Sequence, residues 1–252
     1  MAYFASFEID IISALSTQLL DKLTQLSPAP LDPEHLNALS SEQGIYQLFH
    51  REQLVYVGKA DSLKKRLNEH RFKIVGRKNI DVEDMSFICL YVHPNWTALA
   101  PEDALIKHYK SGSKTECAWN GNGFGPHDPG RDRETTNKPP DGFDAKYPIR
   151  EDWVCSWVQA GTYDAFELLK ILKSNLPYLL RFEMLEKKSR TPHPSLAGVV
   201  VEVPRDAMRA DELLVLVAKR LPGWQATVFP SHMILYREKR VYGHGKCIWP
   251  KK

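Results

Sequence analysis

Residues 44–70 read GIYQLFHREQLVYVGKADSLKKRLNEH. Two apolar runs, 45–49 and 54–57, flank the polar break His50-Arg51-Glu52-Gln53. Tyrosine-bearing apolar runs on either side of a short polar break predict a β-hairpin. Gly58 ends the second strand, and Asp61 or Ser62 then offers a side-chain oxygen to cap a helix beginning at Leu63. Arg66 and His70 are four apart on that helix and share one face. Tyr46, Tyr56, Arg66 and His70 can therefore converge on one surface.

Working outward, residues 59–78 hold eight basic side chains against two acids, a net +6. Such a patch attracts a nucleic-acid backbone, although a solvated helix face has the same composition. The whole chain, 252 residues with a net charge of +3, gives no such signal by itself. Its hydrophobic content of 43% and charged content of 26% are those of a globular protein of one large or two small domains.

Gly44-Ile45-Tyr46, nine residues, then Tyr56-Val57-Gly58 and an arginine eight further on resemble the signature of the GIY-YIG nucleases. The order continues with Glu102 opening a later helix and Asn120 after it. Within that superfamily, His70 and the run WNGNGFGPHDPGR at 119–131 resemble the type II restriction enzymes that cut CCGCGG. The likeness spans roughly residues 40–150.

The resemblance implies an α/β (α+β) domain at 41–150, a small antiparallel-to-mixed sheet flanked by helices. The flanking regions are read as an N-terminal helix and linker, 1–40, and a C-terminal α+β unit, 151–252, for DNA binding or dimerisation. It implies a site of Tyr46, Tyr56, Arg66, His70 and Glu102, with Asn120 supporting it by hydrogen bonding. Glu102 is the metal candidate, because one carboxylate with phosphate oxygens and waters makes a Mg²⁺ or Mn²⁺ site. A glutamate in the first turn of a helix otherwise offsets the dipole. Arg66 matches a phosphate with its fork of donors. Tyr46 is the candidate base, and would need its pKa lowered from near ~10 by cationic charge or a metal-bound water. His70 would orient it or take its proton. Packing in a strand is the plain alternative for both tyrosines. Lys59, Arg71, Arg77, Arg131 and Arg133 are the candidates for DNA contact, since guanine is read best by arginine or lysine.

The implied reaction is hydrolysis of double-stranded DNA at a short, GC-rich palindrome. A palindrome calls for two active sites, hence a homodimer or higher, beside a methyltransferase that guards host sites. The alternatives are a homing- or repair-type nuclease, or a DNA-binding regulator on an inactive scaffold.

The rest of the chain adds less. Residues 6–26 have amphipathic helical spacing, and SPAPLDP at 27–33 reads as a linker. A short helix at 34–39, a strand at 86–92 and a helix at 97–109 follow. Residues 111–150 are turn-rich, with Trp119 and Phe124 arguing for order. Helices are expected at 163–172, 179–187 and 210–220, and strands at 197–203, 226–229 and 233–237. The tail, 237–252, is +5. His93, His108 and His127 suggest zinc weakly, since His108 lies on another helix face from Glu102. Cys89, Cys117, Cys155 and Cys247 form no CxxC pair, which suits a reducing compartment. With neither a basic, apolar leader nor a membrane-length run, no signal peptide or membrane span is expected and the cytoplasm is.

Overall fold

A computed structural model describes residues 11–93, 101–112, 117–125, 134, 142–186 and 191–250, with side chains from residue 16 in the first helix and from Glu102 in the fourth. The fold is mixed α+β. The chain divides into two compact units, Met1–Phe72 with Asp81–Gly125, and Lys73–Ile80 with Pro126–Lys252.

The first unit is built on a four-stranded antiparallel sheet in the order β1-β4-β2-β3. Its strands are β1 (Ala29–Pro30), β2 (Gly44–His50), β3 (Gln53–Ala60) and β4 (Met85–Tyr91). Arg51 and Glu52 turn the β2–β3 hairpin at φ 49° and 68°, the left-handed values that match the twist of a two-residue turn. Helix α1 (Ile11–Leu23) and α4 (Pro101–Gly112) cover one face. There Leu19, Leu23 and Leu105 pack with Ile45, Leu54, Val57 and Ile88. The short α2 (Pro33–Asn37) is capped by Asp32, which accepts from His35 N. Helix α3 (Leu63–Val75) turns Leu63, Leu67 and His70 inward.

The second unit has a four-stranded sheet in the order β10-β8-β9-β6 and a separate ribbon, β5 with β7. The elements are α5 (Phe143–Lys146), β5 (Gly161–Asp164), α6 (Ala165–Asn175), β6 (Leu179–Phe182), β7 (Val200–Val203), α7 (Ala210–Lys219), β8 (Gln225–Val228), β9 (His232–Tyr236) and β10 (Lys246–Trp249). Leu168, Leu169 and Leu172 of α6 share a core with Leu213, Leu214 and Val217 of α7.

Several expectations change. The proline-rich linker holds β1, which pairs with β4 at the sheet edge, where a proline needs no ladder donor. The expected helix at 179–187 begins as β6, which runs parallel to β9. Pairing with a strand some fifty residues away outweighs local propensity. The helix opening α4 continues through Gly112, and the part expected at 97–100 lies outside the described residues. Residues 73–80 group with the second unit. Lys78 N donates to Pro148 O, Arg150 N donates to Gly76 O, and Arg77 binds Asp144.

Candidate active site

A bulge sets the face of the site. Leu48 pairs with Tyr56 but Phe49 pairs with Leu54, so Val55 is an extra residue in β3. Without it, alternation would send Tyr56 to the face opposite Tyr46. With it, Tyr46 faces Gly58 and both tyrosines lie on the face that meets α3. The two rings have centroids 6.0 Å apart.

Gly58 allows the close approach. A Cβ built there would lie 2.5 Å from Tyr46 Oη, 2.6 Å from its Cζ and 2.8 Å from Tyr56 Cε1. Gly44 is equally constrained, since its Cβ would strike the Leu90 carbonyl.

Tyr46 is 1% exposed and His70 3%. Tyr46 Oη and His70 Nε2 lie 2.7 Å apart. Burial pushes the Tyr46 phenol far above its ordinary value, and burial likewise raises Tyr56. Arg66 pulls both down, and Glu102 raises Tyr56. The depression asked of Tyr46 is thus absent here, because desolvation outweighs the neighbouring cation.

Ser62, rather than Asp61, caps α3, accepting from Lys65 N at 3.4 Å. Arg66 stays partly exposed and pairs with Glu69 at 2.8 Å. Glu102 occupies the first turn of α4, and its Oε1 accepts from Lys59 Nζ at 2.8 Å. Its Oε2 is buried with no hydrogen-bond partner among the described residues. A buried, unpartnered carboxylate oxygen is costly and is a ready donor to a hard cation. Among the described residues no cluster of three His, Cys, Asp or Glu could hold a metal. The unpartnered Oε2 fits a cation held by one carboxylate, with water and substrate oxygens completing its shell.

Residues 43–153 match the family model described as the Eco29kI GIY-YIG domain, a type II restriction endonuclease family. This segment is similar to a GIY-YIG domain. No curated protein matches the chain. The family supports DNA endonuclease activity.

In this segment Asn120 clamps the edge of the hairpin. Its Oδ1 accepts from Val57 N at 2.9 Å and its Nδ2 donates to Val57 O at 2.8 Å. Trp119 N donates to Val55 O, so the turn segment runs along β3 and holds the bulge. Phe124, which sequence reasoning noted only for order, stacks on His70 with centroids 4.7 Å apart and planes 17° apart. It also meets Tyr56 edge-on at 5.1 Å. Nothing local in a glycine-rich run signals that stacking.

The site thus gathers Tyr46, Tyr56, Arg66, His70, Glu102 and Lys59, with Asn120 behind β3. Arg71 is half-buried on α3. Arg77 is a correction: it is 3% exposed and cannot reach DNA. Its guanidinium is spent on Asp144 at 2.8 Å, on the carbonyls of Tyr147 and Pro230, and on the Phe143 ring. Arg131, Arg133 and His127 lie outside the described residues. His93 and His108 are exposed and join no metal-binding group among the described residues. No helix among them is long and apolar enough to cross a membrane.

Proposed function

We propose that the protein is a type II restriction endonuclease that hydrolyses double-stranded DNA at a short, GC-rich palindrome. The reading is carried by the Tyr46–His70 contact of 2.7 Å together with the unpartnered Oε2 of Glu102.

The raised pKa of Tyr46 constrains its role. A phenol held neutral cannot store a negative charge, but it can pass a proton on. With the Nε2 of His70 bare and its hydrogen on Nδ1, Tyr46 donates to His70 while its oxygen accepts a hydrogen from the attacking water. As the water attacks phosphorus, its proton moves to Tyr46 and the Tyr46 proton to His70. The phenol stays neutral throughout. Arg66 turns from Glu69 to the scissile phosphate, where charge develops. Glu102 would hold Mg²⁺ or Mn²⁺, which supplies Lewis-acid stabilisation of the phosphate and leaving oxygen when bound. Lys59 leaves Glu102 for a phosphate oxygen.

Cutting both strands of a palindrome needs two such sites, so the working form is a homodimer or higher. The protein acts in the cytoplasm beside a methyltransferase that protects the host's own sites. Sequencing the ends of plasmid fragments made with Mg²⁺ tests the reading. Discrete fragments sharing one palindrome support it, and random or single-strand nicks refute it.

A further inference from the structure

We propose that residues 237–246 of the second unit form a dedicated contact for the DNA phosphodiester backbone. The proposal rests on DNA being the substrate, as proposed above.

Some cations of this unit have acids beside them. Lys78 pairs with Glu151, Lys170 with Glu167, Arg205 with Glu212 and Arg209 with Asp211. Among the described residues, those at 237–246 gather four cations without such a partner. Arg237, Lys239, Arg240 and Lys246 are all exposed, and none has an ion-pair partner among the described residues. The one acid of residues 237–252, Glu238, is tied down, accepting from the buried Tyr242 Oη at 2.6 Å. Clustered cations repel one another, and a polyanion is their natural complement.

The segment is built to hold these charges outward. Gln225, in β8, grips the Arg240 backbone from both sides, accepting from its N–H at 3.1 Å and donating to its carbonyl at 2.7 Å. The Arg240 guanidinium lies 5.2 Å from the Tyr242 ring centre. A Cβ at Gly245 would meet Thr227, Phe229 and Tyr242 within 2.9 Å, so the return to β10 presses against the sheet. The result is a concave groove of about 490 Å³ walled by Lys239, Arg240, Tyr242 and Pro250. Val241 stands at its rim, 80% exposed. Cations flanking an apolar rim suit phosphates alternating with deoxyribose faces.

The test is fluorescence anisotropy of the full chain with a mixed-sequence duplex of about three helical turns, in chelator to prevent cutting, across a salt series. Each phosphate contact contributes a slope of about 0.9 in log K against log salt. The Lys239→Ala/Arg240→Ala/Lys246→Ala variant should flatten the slope by about 2.7 and weaken binding roughly a hundredfold at ~0.15 M salt. Lys239→Ala/Lys246→Ala spares the Tyr242 stacking, guards against misfolding, and should flatten it by about 1.8. Lys239→Arg/Lys246→Arg should keep the wild-type slope. Folded alanine variants with the wild-type slope overturn this inference alone. A wild-type chain that binds no duplex overturns it together with the proposed function.

Discussion

Gly58→Ala tests whether the tyrosine pair is positioned by the absence of a side chain. The added carbon would sit 2.5 Å from Tyr46 Oη and 2.6 Å from Cζ, with Tyr56 Cε1 at 2.8 Å on its other side. Ordinary contact begins near 3.4 Å, so the Tyr46 ring must retreat by nearly 1 Å. Retreat is resisted because Tyr46 is 1% exposed. Overpacking of this kind costs about 1–3 kcal/mol, and losing the Tyr46–His70 hydrogen bond adds about 1 kcal/mol. For a chain of 252 residues that lowers Tm by roughly 5–15 °C. Displacing the proton acceptor should also slow cleavage by about 10²–10⁴-fold. Gly112→Ala is the control. Nothing lies within 4 Å of its Cβ at the end of α4, so the change should be neutral or stabilise by up to ~1 kcal/mol. Thermal melts and plasmid cleavage read both. A Gly58→Ala protein that melts and cuts like wild type would show that Tyr46 does not rest on Gly58.

Three further outcomes are expected. Arg77→Ala should destabilise the second unit by about 3–5 kcal/mol in denaturant titrations, because it strands the buried Asp144. The DNA-binding salt slope of the folded variant should not change. Asn120→Ala should cost about 1–3 kcal/mol and speed hydrogen exchange at the Val57 amide, whose acceptor it removes. Burial raises Tyr46 and Tyr178, so the folded chain holds those protons above the pH where the unfolded chain loses them. Their stabilisation is complete below pH ~10 and is lost as pH rises further. Stability measured against pH should fall on the alkaline side, and less steeply in Tyr178→Phe.

The hairpin and α3 were legible because their signals are local. Apolar runs, a polar break, a capping hydroxyl and a four-residue spacing all lie between Gly44 and His70. What escaped the sequence depends on partners far along the chain. β1 hides in a proline-rich stretch because its ladder is supplied by β4. β6 looked helical because its partner, β9, is distant. Arg77 looked like a surface cation because sequence does not show burial, and its counter-ion Asp144 comes 67 residues later. The same holds in the site. The meeting of Tyr46 and His70 followed from spacing, whereas the Val55 bulge and the Phe124 stacking on His70 are set by packing. The Lys59–Glu102 ion pair joins a strand end to a helix start and had no sequence signal beyond the two charges.

Plasmid cleavage in Mg²⁺ by the wild type, Tyr46→Phe and Glu102→Gln tests the hydrolytic centre most directly. The wild type should cut, Tyr46→Phe should lose about 10²–10⁴-fold, and Glu102→Gln should not cut. The glutamine keeps the shape of Glu102 but not the charge that would hold the metal. Wild-type cutting by Glu102→Gln would contradict the assignment of this cluster as the hydrolytic centre.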